Sequence, residues 1–216
     1  ESCTKRNEGG KFREVAKEAG PGAIAAGMGI TCADVDHDGN LDLFLTNMDS
    51  PAGSRIASQP RFMQAQPENR AAYMGHAHGN VLLLGDGHGK FRDVTQQAGV
   101  GASGWAWGGT FFDLQNDGWP DLYVPNGFAT NRSREDLSSF FWRCVIYRSP
   151  PAEPASDEYV NAWDALRHFS LYEGMTWNGR ERNCAYLGLG GARFAEASSA
   201  LGIDFGEQPA DNDKAK

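Results

Sequence analysis

DVDHDGNLDLFL (Asp34–Leu45) places aspartates at relative positions one, three, five and nine of a short loop and runs straight into an apolar segment. Charges spaced in this way repel unless a cation sits among them, each near pair costing on the order of 1 to 4 kcal/mol. Hard oxygen donors in this number suit Ca²⁺, with Gly39 at position six for the sharp turn and Asn40 at position seven offering its carbonyl. The predicted ligands are Asp34, Asp36, Asp38, Asn40 and Asp42. No Cys or His holds a ligand position, and His37 points outward between ligands, so transition metals are disfavoured.

A second loop, DLQNDGWPDLYV (Asp113–Val124), repeats the pattern with Asp113, Gln115, Asp117, Trp119 (through its carbonyl) and Asp121. The neutral Gln115 removes one charge, which predicts a weaker site. An EF-hand shares the first six positions but needs a bidentate Glu at position twelve and flanking helices. That position holds Leu45 in one loop and Val124 in the other, each inside a strand-like run. Aspartates that merely cap turns account for one or two of these positions, not for a fixed spacing in two copies.

Working outward, GGKFREVAKEAG (Gly9–Gly20) matches GHGKFRDVTQQAG (Gly87–Gly99), and GGARFAEASSALG (Gly190–Gly202) is a third copy. Phe12 precedes Asp34 by 22 positions and Phe91 precedes Asp113 by the same 22. The unit reads as strand, Asp loop, strand, variable connection, strand, Gly turn and a strand carrying the phenylalanine. Four short strands of this kind form one blade of a β-propeller. With 27 Gly, 10 Pro and 24 aromatic residues among 216, composition agrees with short aromatic strands and tight turns. The expected fold is all-β with a helical insertion, a partial propeller of about two full blades with a half blade at each end, spanning 1–216.

The repeats, with LLLGDGHGKFRDVTQQAGV (Leu82–Val100), GWAWGGTFFDLQNDGWPDLYVPNGF (Gly104–Phe128) and SSFFWRCVIYRSP (Ser138–Pro150), resemble the FG-GAP/VCBS repeat family, whose calcium-loop blades also occur in integrin α-subunit heads. More narrowly they look like the ASPIC/UnbV-associated, cartilage acidic protein-like group. The resemblance covers about Gly9 to Phe205 and implies a longer ring of around seven blades. Counting 22 from Phe194 reaches Lys216, where a third Asp loop should open, and the approach EQPADNDKAK lacks the apolar strand. A truncated or partner-completed propeller is expected, with another protein chain covering the open edges.

Two insertions interrupt the blades. Residues 50–79 read as a polar loop with one short helix near Glu68–Tyr73. Residues 128–183 contain two helical patterns, Ser133–Arg148 and Ser156–Gly174, each with a Ser cap; Tyr159, Trp163, Leu166 and Phe169 mark one apolar face of the second. Long insertions on one side of a repeat scaffold favour a binding role.

A net charge of −8 without a Lys/Arg cluster argues against nucleic acid, and no apolar run approaches the roughly 20 residues of a membrane span. The first residue, Glu1, suggests numbering after a processed leader and hence a secreted, periplasmic or cell-surface protein. The four cysteines have no CxxC spacing. In an oxidising compartment Cys144 with Cys184, which bracket one insertion, and Cys3 with Cys32, both in the first repeat, are the favoured disulfides; other pairings and free thiols stay open.

Three lesser motifs carry weaker signals. HAHG (His76–Gly79) reads as a solvated loop before a metal chelate. GWAWGG (Gly104–Gly109) reads as core before a sugar platform, and Asn131 opens an N-R-S glycosylation sequon. Nucleophile, metalloprotease and phosphate-binding motifs are missing from the chain, so no enzyme is expected. The leading function is a calcium-binding interaction or structural subunit. The alternatives are a carbohydrate-binding module, or part of a larger propeller with its active site elsewhere.

Overall fold

The computed structural model describes residues 5–20, 27–64, 67–128, 131, 133, 135–149, 154–177 and 181–203. Its strands, in chain order, are β1 (Lys5–Glu8), β2 (Lys11–Glu14), β3 (Gly29–Ala33), β4 (Asp42–Thr46), β5 (Val81–Gly85), β6 (Phe91–Asp93), β7 (Thr110–Phe112), β8 (Asp121–Val124), β9 (Cys184–Gly188) and β10 (Phe194–Glu196). They make two four-stranded antiparallel sheets, β3-β4-β5-β6 and β7-β8-β9-β10, and a two-stranded hairpin, β1-β2. Each Asp loop joins the first and second strands of a sheet, in register Ala33↔Asp42 and Phe112↔Asp121. This is the strand order that the repeat predicts. The described sheets close no ring, and the expected C-terminal half blade lies outside the described residues.

The two sheets share one core. Phe44 and Leu82 of the first, and Leu122, Val124 and Tyr186 of the second, are at most 1% exposed and lie in a single cluster. Phe111 meets Phe44 edge to face at 6.1 Å, and the Tyr186 hydroxyl donates to the Ala102 carbonyl at 2.9 Å. Burying a polar tip with its partner supplied is how a tyrosine enters such a core without an unmet hydrogen bond.

The repeated F-x-x-V/A-x-x-x-A/L-G motif has a local cause. After β2 and β6 the chain turns through a single helical turn, α1 (Ala16–Ala19) in the first copy and α4 (Thr95–Ala98) in the second. The apolar residues of this turn, Val15 and Ala19 in one copy and Val94 and Ala98 in the next, are all buried. An acidic side chain two residues after the phenylalanine accepts the N–H at the fourth: Glu14 from Ala16, Asp93 from Thr95 and Glu196 from Ser198, at 2.9, 2.9 and 3.0 Å. In the latter two copies the hydroxyl at that fourth position accepts in turn from the neighbouring strand, Thr95 from Leu82 N–H and Ser198 from Ala185 N–H. Two glycines end the third strands because nothing larger fits. A Cβ on Gly85 would stand 2.4 Å from the Leu41 carbonyl oxygen, and one on Gly188 equally close to that of Pro120.

Both insertions leave from the end of the second strand and return at the third, and an asparagine pair closes each base. Asn47 N–H donates to the Asn80 side-chain oxygen at 3.0 Å, and Asn126 N–H donates to that of Asn183 at 2.9 Å. The first insertion holds two helices, α2 (Pro51–Ala57) and α3 (Pro67–His76), where sequence predicts one. Ser50 caps α2 by accepting from Gly53 N–H, with Pro51 at its first position.

In the second insertion α6 (Asp157–Leu171) follows the prediction, Ser156 accepting from Tyr159 N–H and Leu166 sitting fully buried with Leu137 and Val145. The other predicted helix is corrected. Asp136 instead pairs with Thr176 in a single parallel bridge, held by Leu137 N–H to Thr176 O and Thr176 N–H to Glu135 O. Helix starts only at α5 (Ser138–Phe140), then widens into a π turn (Phe141–Val145) and a 3₁₀ turn (Ile146–Arg148). A tertiary strand-like pairing has displaced the Ser133 cap, and the Asp136 carboxylate accepts from Ser138 N–H instead.

The expected Cys144–Cys184 disulfide is absent. Cys144 packs among the helices of the second insertion, whereas Cys184 begins β9, against Asn126 and the Ser103 carbonyl, so the insertion does not bring the two sulfurs together. Cys32 is a free, exposed thiol on β3, and Cys3 lies outside the described residues.

Candidate metal centre and its neighbour loop

The two Asp loops adopt one backbone. The fourth residue is left-handed in each, His37 at φ 61° and Asn116 at φ 55°, and the sixth is glycine, Gly39 at 88° and Gly118 at 91°. Glycine meets that requirement without strain, which is why the spacing repeats. The first carboxylate accepts from the N–H groups of the fifth and sixth residues: Asp34 from Asp38 at 3.1 Å and Gly39 at 3.0 Å, Asp113 from Asp117 at 3.0 Å and Gly118 at 2.8 Å. The fifth accepts from the seventh, Asp38 from Asn40 and Asp117 from Trp119.

Position nine does more than its sequence reading as a ligand implies. Asp42, fully buried, accepts from Val35 N–H at 2.8 Å and from Gly85 N–H at 2.9 Å. Asp121, 2% exposed, accepts from Leu114 N–H and Gly188 N–H, both at 2.7 Å. Each therefore ties its loop to the end of the third strand. Burial pushes the Asp42 carboxyl above its ordinary range, against the pull of those two N–H donors, and the charges of Asp36 and Asp38 push it further.

Among the described residues one acidic cluster has metal-holding geometry: Asp34, Asp36 and Asp42 each bring a carboxylate oxygen within 4.8 Å of the others. Three converging hard oxygens in a half-buried loop fit a divalent oxygen-seeking cation. Asp38 lies outside this triad, exposed and bonded to Asn40 N–H, and the Asn40 side chain abuts Gly87 of the β5–β6 turn. In the second loop Gln115 holds Asp117 at 3.2 Å instead of adding a carboxylate, and Asp113 is exposed. Trp119 stacks on His37 with ring centroids 4.2 Å apart and covers Gly190, so it joins the two loops side by side. That stacking was not foreseen; an aromatic at the seventh position of one loop and a ring at the fourth of the other is its only trace in the sequence.

The remaining motifs fall as follows. Trp105 stacks on Phe128 at 4.6 Å, whereas Trp107 is 47% exposed beside the same ring and donates to the Gly127 carbonyl. His76 ends α3, half-buried, and the His78 backbone makes an isolated antiparallel β-bridge with that of Asp49. The Asn131 amide donates to the Ser170 and Met175 carbonyls, so the sequon side chain is engaged in the fold.

Glu181 was not singled out by sequence. Its carboxylate accepts from Trp105 N–H at 2.6 Å, and burial, reinforced by the Asp49 charge, raises its pKa to about 7. The folded protein thus holds this proton more tightly than the unfolded chain. The stabilisation is complete below the ordinary carboxylate range and lost as pH rises through about 7. Because Glu181 is partly exposed, we expect about 1 to 2 kcal/mol of stability to fade between pH 5 and 8. Urea denaturation across that range should show it, and Glu181→Gln, which keeps an acceptor for Trp105 N–H, should flatten the profile.

Residues 71–124, from within α3 to the end of β8, match the family model of the FG-GAP-like repeat. The match takes in β5 and β6 of the first sheet and the whole second Asp loop with β7 and β8 on either side of it. No curated protein matches the chain. No helix among the described residues is long and apolar enough to cross a membrane.

Proposed function

We propose that the chain is a calcium-stabilised segment of an FG-GAP/VCBS-type β-propeller, of the cartilage acidic protein-like kind, that works by binding another protein chain outside the cytoplasm. The observation that carries this reading is the convergence of Asp34, Asp36 and Asp42 in a loop whose backbone is repeated beside it. Calcium held there neutralises the triad and pins β3, β4 and, through Asp42, β5. Its role is structural, and the proposed activity is binding, not catalysis. Millimolar calcium outside the cell suits a site of few charges, since extracellular modules bind at about 10⁻⁴ to 10⁻³ M. The partner chain would pair with the free strands at the sheet edges, and the two insertions, both on the same connection, would frame the contact.

Calcium at a hundredfold excess over its dissociation constant adds about 2.7 kcal/mol, or roughly 5 to 10 °C in Tm for a domain of this size. We expect Asp36→Ala to remove most of that gain and Gln115→Ala little of it, read by scanning fluorimetry in calcium and in chelator. Identical wild-type melting in both media would sink the metal assignment. For the binding role, co-purification in calcium with one defined partner is expected; a monomeric chain that captures nothing counts against it.

The half-exposed Trp107, fixed over Phe128, supports a second reading in which that ring pair receives a sugar face. Retention on a glycan array that Trp107→Ala abolishes would favour it.

A further inference from the structure

We propose that the cleft between the exit of α2 and the π turn of the second insertion binds a small organic carboxylate with an apolar, planar body. The cleft measures 310 Å³ and is lined by Ile56, Gln59, Arg61, Phe62, Arg143 and Tyr147. That volume lies at the small end of ligand sites, about 300 to 1,000 Å³, and so fits a ligand of one ring. It is separate from the Asp loops and from Trp107.

Charge gives the first argument. The protein carries −8, so its general field repels anions, yet residues 50–79 hold three arginines against one glutamate. Arg61 and Arg143 bring two guanidinium groups to one cleft, and among the described residues neither forms an ion pair with a carboxylate. Arg61 donates through Nε to Gln59 at 3.3 Å, which orients the group while its terminal nitrogens stay available. A planar fork of this kind matches a carboxylate in two parallel hydrogen bonds.

The same lining supplies the apolar part. Phe62 is 1% exposed and Ile56 8%, while Tyr147, 46% exposed, leans over Phe62 with centroids 5.8 Å apart. The accessible Tyr147 ring, backed by the fixed Phe62, offers a face on which a flat body can lie, and the two arginines of the same lining add cation–π attraction to an aromatic ligand.

Backbone geometry is the third, independent observation. Arg143 sits inside the π turn, Phe141–Val145, a rare wide turn that recurs at functional positions. In the first insertion Met63, the residue after Phe62, has φ 45°, a left-handed conformation costly for a long side chain. Both departures present cleft residues, and both insertions contribute, so the site exists only when they are docked.

The test uses benzoate as the probe, with acetate and benzyl alcohol as the matched anion and the matched body. Titration of the whole chain by calorimetry, with ¹⁹F-labelled fluorobenzoate as a second readout, should show saturable benzoate binding. Acetate and benzyl alcohol should each bind at least tenfold more weakly. Arg143→Gln and Arg61→Gln should each weaken benzoate about tenfold, the worth of one charge-assisted pair. Both arginines are exposed, so an unchanged Tm separates loss of the site from loss of the fold. No saturable binding at tens of millimolar benzoate, or wild-type affinity retained in both variants, overturns the proposal. So does benzyl alcohol binding as tightly as benzoate.

Discussion

Asp42→Ala should destabilise the protein by about 3 kcal/mol in calcium and by less in chelator. The carboxylate is fully buried, and its two oxygens satisfy Val35 N–H and Gly85 N–H. Removing it strands two buried donors, each costing about 1 to 3 kcal/mol, and takes one oxygen from the metal triad. In chelator part of that loss is offset, because Asp36 and Asp38 no longer face a third charge. Asp42→Asn is the sharper comparison. An amide has one acceptor and one donor end, so either orientation turns an NH₂ toward one of the two N–H groups. We expect Asn to be nearly as harmful as Ala in denaturant unfolding. An Asp42→Asn protein as stable as wild type in chelator would show that the strand staple is not what position nine does.

Trp142→Ala should cost about 3 to 5 kcal/mol, the range for deleting a fully buried indole. Trp142 is 1% exposed and joins three regions: Met48 just past β4, Ile56, Ala57 and Ala77 of the first insertion, and its own helical segment. A Cβ on Gly53 would stand 2.3 Å from the indole ring, so α2 approaches it at glycine-only distance. Gly53→Ala should therefore separate the insertions by steric clash, whereas Trp142→Ala separates them by leaving a cavity. Both variants should raise proteolytic cleavage within residues 50–79 while hydrogen exchange in β4 and β8 stays slow. Loss of protection throughout both sheets would instead make the insertions part of one cooperative unit with the strands.

The sheets were legible because their signals are local and doubled. A 22-residue spacing between phenylalanine and aspartate, glycine at the sixth loop position and an apolar strand after it recur in two copies, and strand order follows from them. The acidic loop positions were legible as residue types, but their division of labour was not. Nothing in the sequence says that Asp42 spends its oxygens on strand N–H groups while Asp38 turns to Asn40, because that depends on burial beneath β5. The asparagine pairs Asn47–Asn80 and Asn126–Asn183 were missed although they repeat. Their members stand 33 and 57 residues apart, and insertions of unequal length hide the correspondence. The Ser133 helix failed for the opposite reason. Its local cap is sound, yet Thr176, distant in sequence, offers Glu135 and Leu137 a backbone pairing that a helix starting at Ser133 cannot use. Cysteine pairing failed because bracketing an insertion brings its ends together, and Cys144 is not at an end.

The central claim, that the first Asp loop is a calcium site, is tested most directly by titrating calcium into chelator-treated protein in a calorimeter, wild type beside Asp36→Ala. The account predicts a saturable calcium isotherm for wild type whose tightest event disappears in the variant, with magnesium a poor competitor. A wild-type titration showing no binding at millimolar calcium, or an isotherm that Asp36→Ala leaves unchanged, would contradict it.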